Sequence, residues 1–333
     1  MAASIAIALT ALVAAVFVVI SIVLWPWPRI ASDRDVFGFK DLPGTPEIEG
    51  LAQLEYYAAR DDARLAYRFY DSTSDVMLVF IHGSSYHGLS YHFMAQALSS
   101  KGVAKVYLPN LRGHYRSGGA SGDIAYIGQL EDDLADLIDH AREQGNAGRV
   151  ILGGHSSGGG LAIRFAGGCH ADKVAGYLLL SPVIPLASTF RKNGGWAMLC
   201  NRRIFGLLVL NAVGIRLFNG LRIIQFNKPR EFQDGTETLG YSYRLNVSYH
   251  PRNDHKRDLS ALGEHVLVMM GADDEQNDAV AMVQLFGECD AKARVDVLAG
   301  VNHLGIMADQ SMLKEAGEWI AGLRLKGDSG LGE

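Results

Sequence analysis

The chain has 333 residues, of which 48% are hydrophobic and 20% are charged, and its formal net charge is −5. This length can bury a large core, either as one α/β domain with an insertion or as two domains. The sequence has no basic stripe, which argues against nucleic acid as a partner. Its three cysteines lie far apart, which argues against a disulfide framework or a zinc site.

An apolar stretch without charged residues lies near the N-terminus, at residues 5–24. Twenty residues at about 1.5 Å each span roughly 30 Å, the thickness of a bilayer core. Trp25 and Trp27 follow directly, where interfacial aromatic residues are found. A cleaved signal peptide is the alternative, but the stretch is long, no Lys or Arg precedes it and no A-x-A site closes it. The sequence therefore predicts a single-pass membrane anchor over residues 1–28.

The region after the predicted anchor carries positive charges at Arg29, Arg34 and Lys40. The positive-inside rule then favours a cytoplasmic location for the folded domain. Residues 29–50 contain several prolines and glycines, which predicts a linker between the membrane and this domain.

From residue 51 onward, strand-like and helix-like patterns alternate. The strand-like runs cover 54–59, 64–70, 76–81, 103–108, 150–152, 174–180, 266–270 and 295–298. The helix-like runs cover about 90–100, 127–143, 162–166, 277–287 and 311–325. This alternation predicts an α/β fold, with an eight-stranded, mainly parallel sheet and helices on both of its faces.

One segment, 183–262, interrupts the alternation and shows apolar, helical patterns without a clear sheet strand. It follows the carboxyl end of a predicted strand, where ligands of open parallel sheets bind. We therefore predict a helical cap over that edge of the sheet, with one more buried helical layer as the alternative. The core then consists of residues 51–182 and 263–333. Apolar cap helices that carry arginines could also contact a membrane surface.

A G-x-S-x-G pattern occurs once in the chain, at Gly154, Ser156 and Gly158, between an apolar strand and the start of a helix. A serine on such a sharp turn exposes its Oγ, and the flanking glycines let neighbouring backbone approach closely. Ser156 is therefore a candidate nucleophile. The alternative is a glycine-rich turn that cradles a phosphate at a helix start.

Polar side chains that could assist Ser156 follow two later strands. The strand at 266–270 leads into Gly271–Asp274, and the strand at 295–298 leads to His303. Because the carboxyl ends of parallel strands share one edge of the sheet, we expect these groups to lie near Ser156. The chain order of serine, acid and histidine is typical of a hydrolase triad on this type of sheet.

Five motifs together resemble the α/β-hydrolase superfamily, and within it the monoacylglycerol lipase, lysophospholipase and serine aminopeptidase-like group. They are F-I-H-G-S-S (80–85), N-L-R-G-H-Y-R-S-G (110–118), G-G-H-S-S-G-G (153–159), G-A-D-D (271–274) and V-N-H (301–303). The resemblance covers about residues 54–325 and implies the α/β-hydrolase fold. Asn110 and Tyr115 depart from the group's usual D-x-R-G-x-G-x-S pattern, but both lie outside the triad that the resemblance implies.

The resemblance implies a catalytic triad with Ser156 as nucleophile, His303 as general base and Asp274 as the acid that orients the histidine. Asp273 and Asp278 are alternative candidates for the acid.

The resemblance also implies an oxyanion hole formed by the backbone N–H groups of Ser84 and Ser157. His82, Gly83 and His155 lie beside these residues and are expected to contribute to substrate binding. The sequence contains no metal-binding motif such as H-E-x-x-H, so neither a metal nor another cofactor is expected.

The sequence thus predicts a membrane-anchored serine hydrolase that cleaves carboxylic esters. Lipid-like esters such as monoacylglycerols or lysophospholipids are the expected substrates, by analogy with the group and from the predicted anchor. A peptidase or amidase of the same group is one alternative, and a non-catalytic binding protein on this fold is another. The expected partners are a small-molecule or lipid ester and the membrane, and the sequence gives no oligomeric state.

Overall fold

The computed structural model describes residues 2–27, 35–39, 49–146, 148–191, 196–289 and 292–328. The predicted linker at 29–50 is therefore described only at 35–39 and 49–50. Arg29, Arg34 and Lys40, on which the predicted membrane orientation depends, lie outside the described residues.

An eight-stranded sheet forms the centre of the folded domain. Its strands are β1 (Leu54–Ala58), β2 (Arg64–Tyr70), β3 (Met77–Ile81), β4 (Lys105–Pro109), β5 (Val150–His155), β6 (Gly176–Leu180), β10 (Val266–Gly271) and β11 (Ala293–Leu298). Their spatial order is β1-β2-β4-β3-β5-β6-β10-β11. The β1–β2 and β2–β4 pairs are antiparallel and the others are parallel, which confirms the predicted, mainly parallel sheet.

The inner strands are largely apolar because both faces of the sheet are covered. In β3, for example, all five residues are buried. Met77, Val79 and Ile81 belong to the core on one face, and Leu78 and Phe80 to the core on the other. This division follows from the alternation of side chains along a strand.

Nine helices are described around and beyond the sheet. They are α1 (Ala2–Leu24), α2 (His92–Ser100), α3 (Gln129–Glu143), α4 (Ser157–Ala166), α5 (Asn201–Ala212), α6 (Tyr243–Ser248), α7 (His255–Ser260), α8 (Ala279–Glu288) and α9 (Gln310–Asp328). Helices α3, α4 and α8 contribute to the core on one face of the sheet, and α2 and α9 to the core on the other. The predicted layering, with helices on both faces, is confirmed.

The cap region contains a small sheet in addition to helices α5, α6 and α7. Strands β7 (Ala197–Leu199), β8 (Arg222–Phe226) and β9 (Gly240–Ser242) form an antiparallel sheet with β8 in the middle. The segment predicted as a helical cap therefore contains three strands as well as helices. The buried residues Ile223, Ile224 and Phe226 gain strand structure from partners about twenty residues away on either side, which local periodicity does not reveal.

The N-terminal helix α1 is long and apolar enough to cross a membrane, and most of its side chains are exposed. Its last turns pack against α5 of the cap. Gly206 permits this contact, since a Cβ at that position would lie 2.4 Å from Val23 Cγ2. The buried guanidinium of Arg203 donates hydrogen bonds to the carbonyl oxygens of Val23 at 2.9 Å and Trp25 at 3.2 Å. The apolar helix and the cap are thus joined by packing and by hydrogen bonds.

Candidate active site

The turn between β5 and α4 holds Ser156 in a strained conformation, with φ 55° and ψ −122°. Neighbouring backbone comes so close that only glycine fits at two positions. A Cβ on Gly154 would lie 2.3 Å from the carbonyl carbon of Gly158, and one on Gly158 would lie 2.3 Å from the carbonyl oxygen of Ile81. The turn therefore has the geometry that the G-x-S-x-G pattern predicts.

The structure brings Ser156, His303 and Asp274 together at the carboxyl edge of the sheet. The Ser156 hydroxyl lies 3.1 Å from His303 Nε2, and His303 Nδ1 lies 2.9 Å from Asp274 Oδ2. All three side chains are buried. When Nδ1–H donates to the carboxylate, Nε2 is left as the acceptor for the serine hydroxyl. This is the arrangement in which a histidine can remove the serine proton.

Asp274 is held as a carboxylate by its surroundings. Its Oδ1 accepts hydrogen bonds from the N–H groups of Gln276 at 2.9 Å and Asn277 at 2.8 Å. Burial by itself raises its pKa, but His303 and these N–H donors outweigh burial and lower the pKa to about 2. Of the alternative acids, Asp273 is exposed to solvent and Asp278 accepts a hydrogen bond at the start of α8.

The loop after β3, residues 82–85, presents Ser84 toward Ser157. The N–H of Gly83 donates to Tyr91 Oη at 3.1 Å, and the N–H of Ser85 donates to Tyr241 Oη at 2.7 Å. Among the described residues, the N–H of Ser84 has no acceptor. The Ser84 and Ser157 hydroxyls lie 2.6 Å apart. The N–H of Ser157 is at the start of α4, where backbone donors lack an intrahelical partner.

His155 connects the Tyr91 hydroxyl to the backbone that carries the candidate base. Its Nδ1 lies 3.0 Å from Tyr91 Oη, and its Nε2 lies 2.9 Å from the carbonyl oxygen of His303. Because a carbonyl only accepts, Nε2 carries the proton and Nδ1 accepts from the tyrosine. Burial, assisted by the proximity of His303, lowers the pKa of His155 to about 3, so the ring is neutral.

A second pair, Tyr241 and His114, supports the other side of the loop in the same way. Tyr241 Oη lies 2.8 Å from His114 Nε2, and His114 Nδ1 donates to the carbonyl oxygen of Arg112 at 3.1 Å. Burial lowers the pKa of His114 to about 4. Each tyrosine hydroxyl thus accepts from a loop N–H and donates to a neutral imidazole.

His82, Gly83 and His155 form hydrogen bonds beneath the catalytic turn and are not among the residues that line the cavity described below. His82 is fully buried, where Nε2 accepts from the N–H of Leu111 at 3.1 Å and Nδ1 lies 2.9 Å from the carbonyl oxygen of Gly83. The role of these three residues in substrate binding stays a prediction. Their hydrogen-bonding groups are used within the loop and the neighbouring turns.

A cavity of about 300 Å³ lies above Ser156, between the core and the cap. Its residues are Ser84, Ser156, Ser157, Val183, Pro185, Phe190, Arg191, Trp196, Ala197, Leu199, Ile224, Phe226, Asn246, His250 and Gln276. One wall, from the cap sheet, is apolar. Three buried polar atoms in the lining residues have no hydrogen-bond partner among the described residues: Asn246 Oδ1, His250 Nδ1 and Gln276 Oε1. These three atoms have almost no accessible surface, and the lining that faces the cavity is mostly apolar, as is typical of small-molecule sites.

The sequence profile of the Alpha/beta hydrolase family matches residues 78–315. A stretch of 131 residues is 28% identical to a monoacylglycerol lipase of Mycolicibacterium smegmatis and covers 38% of this chain and 46% of that protein. Another, of 107 residues, is 31% identical to a pyrethroid hydrolase of Sphingobium wenxiniae and covers 32% of this chain and 36% of that protein. The matched stretches thus span less than half the length of either relative.

Among solved structures, a soluble variant of monoglyceride lipase from Saccharomyces cerevisiae, in complex with a substrate analogue, has the same fold. The TM-score is 0.63 at 17% sequence identity, over 84% of this chain and 98% of that chain. The family profile matches well more than half of the sequence. The fold and the turn at Ser156 agree with this match. The chain therefore belongs to the Alpha/beta hydrolase family.

Proposed function

We propose that this protein is a membrane-attached serine hydrolase that cleaves carboxylic esters with lipid-like acyl groups. The observation that carries this proposal is the hydrogen-bonded series from Ser156 to His303 to Asp274 at the base of an apolar cavity. The named relatives, a monoacylglycerol lipase and a pyrethroid hydrolase, support an ester as the substrate.

In the first half of the proposed reaction, Ser156 Oγ attacks the ester carbonyl carbon while His303 Nε2 takes the hydroxyl proton. The carbonyl oxygen becomes an oxyanion and accepts hydrogen bonds from the N–H groups of Ser84 and Ser157. The imidazolium that forms keeps its Nδ1–H on Asp274, whose negative charge stabilises it. The tetrahedral intermediate then collapses, and His303 gives its proton to the leaving alcohol oxygen.

The second half releases the acyl group, which is now esterified to Ser156. A water molecule attacks the acyl carbonyl carbon while His303 removes one of the water protons. Collapse of the second tetrahedral intermediate breaks the bond to Ser156 Oγ, which recovers its proton from His303. The products are the carboxylic acid and the free enzyme.

The cavity supports an amphiphilic ester as substrate. Its apolar cap wall, with Trp196, Leu199 and Phe226, suits an acyl chain. The polar side chains of Asn246, His250 and Gln276 also belong to the lining and suit hydroxyl groups, since a hydroxyl can both donate and accept. A monoacylglycerol has both parts, and we therefore favour it over a lysophospholipid.

Membrane attachment is part of the proposal and is supported by α1 together with α5. In α5 and the turn after it, large apolar side chains face solvent, including Phe205 at 70% exposure and Leu217 at 85%. No charged residue occurs between Ile204 and Ile215. If α1 crosses the bilayer, the contact between Gly206 and Val23 places α5 within the adjacent leaflet. The cavity would then lie close to lipid substrates. Arg29, Arg34 and Lys40 favour the cytoplasmic side.

A panel of substrates tests the proposed activity on the full chain in detergent micelles. The panel contains p-nitrophenyl esters of increasing acyl length, a monoacylglycerol, a lysophospholipid and a peptide arylamide. We expect turnover of medium or long acyl esters and of the monoacylglycerol, with less turnover of the lysophospholipid and least of the arylamide. Preferential cleavage of the arylamide would identify a peptidase instead, and no turnover of any substrate would identify a binding protein.

A further inference from the structure

Residues 35–39 form a short segment of the chain between α1 and β1. This segment packs directly against His303, the candidate base. Its Phe37 is 2% exposed. The Phe37 ring stacks on the His303 imidazole, with 5.0 Å between ring centroids and 16° between the planes. The same phenyl ring lies 4.9 Å from the Trp196 ring of the cavity wall. Phe37 therefore contacts both the catalytic edge of the core and the cap.

A second ring of this segment, Phe39, packs against the cap but makes no ring contact with His303. Phe39, at 7% exposure, stacks on Phe232 with 5.7 Å between centroids and lies 5.8 Å from Trp196. The N–H of Phe39 donates to Asp35 Oδ1 at 2.9 Å, which closes a turn around Gly38 at φ 61°. Phe39 thus contacts the cap, whereas Phe37 contacts both the cap and His303.

The contact restrains the orientation of the His303 ring. Its two nitrogens are bound to Ser156 and Asp274, and the His155 ring lies 4.7 Å away at 46°. Nearly parallel stacking with Phe37 covers a face of the imidazole, excludes water from it and opposes its tilting. Small errors in such orientation matter, because displacing a reacting group by about 1 Å can cost about 100-fold in rate.

The stack also suits the charge that His303 acquires during the reaction. The face of a phenyl ring carries partial negative charge and attracts a cation within about 6 Å of its centroid. The imidazolium formed when Ser156 is deprotonated would lie within that distance of Phe37. The neutral imidazole of the resting enzyme gains much less from the same contact, so the attraction favours the intermediate.

We propose that Phe37 is a positioning residue for His303, and that through Phe37 residues 35–39 complete the active site. The inference rests on the proposed function in one respect, since it takes His303 as the base. Phe37 does not belong to the cavity lining, so its loss is expected to lower kcat and to leave KM nearly unchanged.

The test uses the full chain in detergent micelles and compares Phe37→Ala and Phe37→Leu with the matched control Phe39→Ala. Phe39 belongs to the same segment and touches Trp196, but its ring contacts do not include His303. Turnover of a p-nitrophenyl ester is expressed per active site, and active sites are counted by end-point titration with a fluorophosphonate. This count removes the contribution of unfolded protein.

We expect Phe37→Ala to lower kcat about 10- to 100-fold with KM within about threefold of the wild type. Phe37→Leu, which restores bulk but not the aromatic face, is expected to lower kcat by a smaller factor. Phe39→Ala is expected to keep kcat within about threefold. If Phe37→Ala leaves no titratable sites, Phe37→Leu decides the outcome.

Two results would overturn the inference. One is a kcat per titrated site within twofold of the wild type for both Phe37 variants. The other is an equal loss of kcat in Phe39→Ala, which would make the effect one of general packing. Failure of the proposed function would show separately, as full turnover by Ser156→Ala.

Discussion

Two buried tyrosines hold the backbone on either side of Ser84, the residue that we propose as an oxyanion donor. Tyr91 accepts from the N–H of Gly83, and Tyr241 accepts from the N–H of Ser85. Each hydroxyl then donates to a neutral histidine, so both bonds have a fixed direction. Donors that are fixed before the reaction stabilise an oxyanion without reorganisation cost. The two pairs therefore account for the orientation of the Ser84 N–H.

We expect Tyr91→Phe to lower both turnover and stability. The substitution leaves the N–H of Gly83 and the Nδ1 of His155 buried without partners, which costs about 1–3 kcal/mol in the free energy of unfolding. The loosened loop should lower kcat at least about tenfold, which is less than the roughly 100- to 1000-fold loss on removal of one oxyanion donor. Ester kinetics and urea denaturation measure the two effects.

The matched control for Tyr91→Phe is Tyr70→Phe. Tyr70 Oη makes an equivalent buried hydrogen bond of 2.8 Å to His92 Nδ1, and this pair does not touch the 82–85 loop. It should lose stability and keep kcat. Equal losses of kcat in the two variants would contradict the role given to Tyr91.

The residues of the site differ in how far the sequence could predict them. Ser156, Asp274 and His303 each follow a strand end within a short local pattern, so their proximity follows from the sheet topology. Tyr241 binds a backbone group 156 residues away, and Phe37 stacks on a histidine far along the chain. No local pattern marks such partners, because the contacts exist only once the cap and the N-terminal segment have packed.

At the scale of elements, the contact between α1 and α5 couples the predicted anchor to the cap. The buried Arg203 also donates to the carbonyl oxygen of Arg222, and Arg202 donates to the carbonyl oxygens of Trp25 and Pro26. The bonds to Val23, Trp25 and Pro26 satisfy carbonyl groups at and just after the end of α1 that have no helical partner. The sequence predicted both apolar segments, but their association depends on Gly206, whose role appears only in the packed structure.

We expect α5 to lie among lipid acyl chains when the full chain is reconstituted in nanodiscs. A tryptophan at position 205, in Phe205→Trp, should be quenched by lipids with brominated acyl chains, after subtraction of the wild-type signal. Val280 on α8 is 78% exposed and distant in sequence from this surface, so Val280→Trp is the control. Equal quenching of the two variants would contradict insertion of the cap.

Elements with strong local patterns were predicted more successfully than those of the cap. The strands of the central sheet are bounded apolar runs, and burial on both faces makes such runs recognisable. Strand β8 lies in a run of similar composition, which we interpreted as helix. Its strand structure depends on pairing with β7 and β9, and the sequence of the run does not contain that information.

At the scale of the whole molecule, buried neutral histidines make stability depend on pH. Burial lowers the pKa of His114 to about 4 and that of His155 to about 3, against about 6.5 in an unfolded chain. Between these values the unfolded chain binds more protons than the folded protein. The free energy of unfolding therefore falls as pH falls from about 6.5 toward 4, by up to about 1.4 kcal/mol per pH unit for each such histidine.

We expect His114→Gln to have a weaker dependence of stability on pH than the wild type. Between pH 7 and pH 5, the wild type should lose roughly 2 kcal/mol more in free energy of unfolding than the variant. Carboxylates titrate in both proteins, so the difference isolates His114. Urea denaturation at the two pH values measures it, and identical losses would show that His114 is not buried as a neutral ring.

The central claim is that Ser156 is the nucleophile of an ester hydrolase, and one comparison tests it most directly. Wild type and Ser156→Ala, as full chains in the same micelles, are treated with a fluorophosphonate and assayed with a medium-chain p-nitrophenyl ester. The account predicts stoichiometric labelling of the wild type, no labelling of Ser156→Ala, and a loss of turnover on the order of 10⁴ to 10⁶. Turnover by Ser156→Ala at the wild-type rate would contradict it.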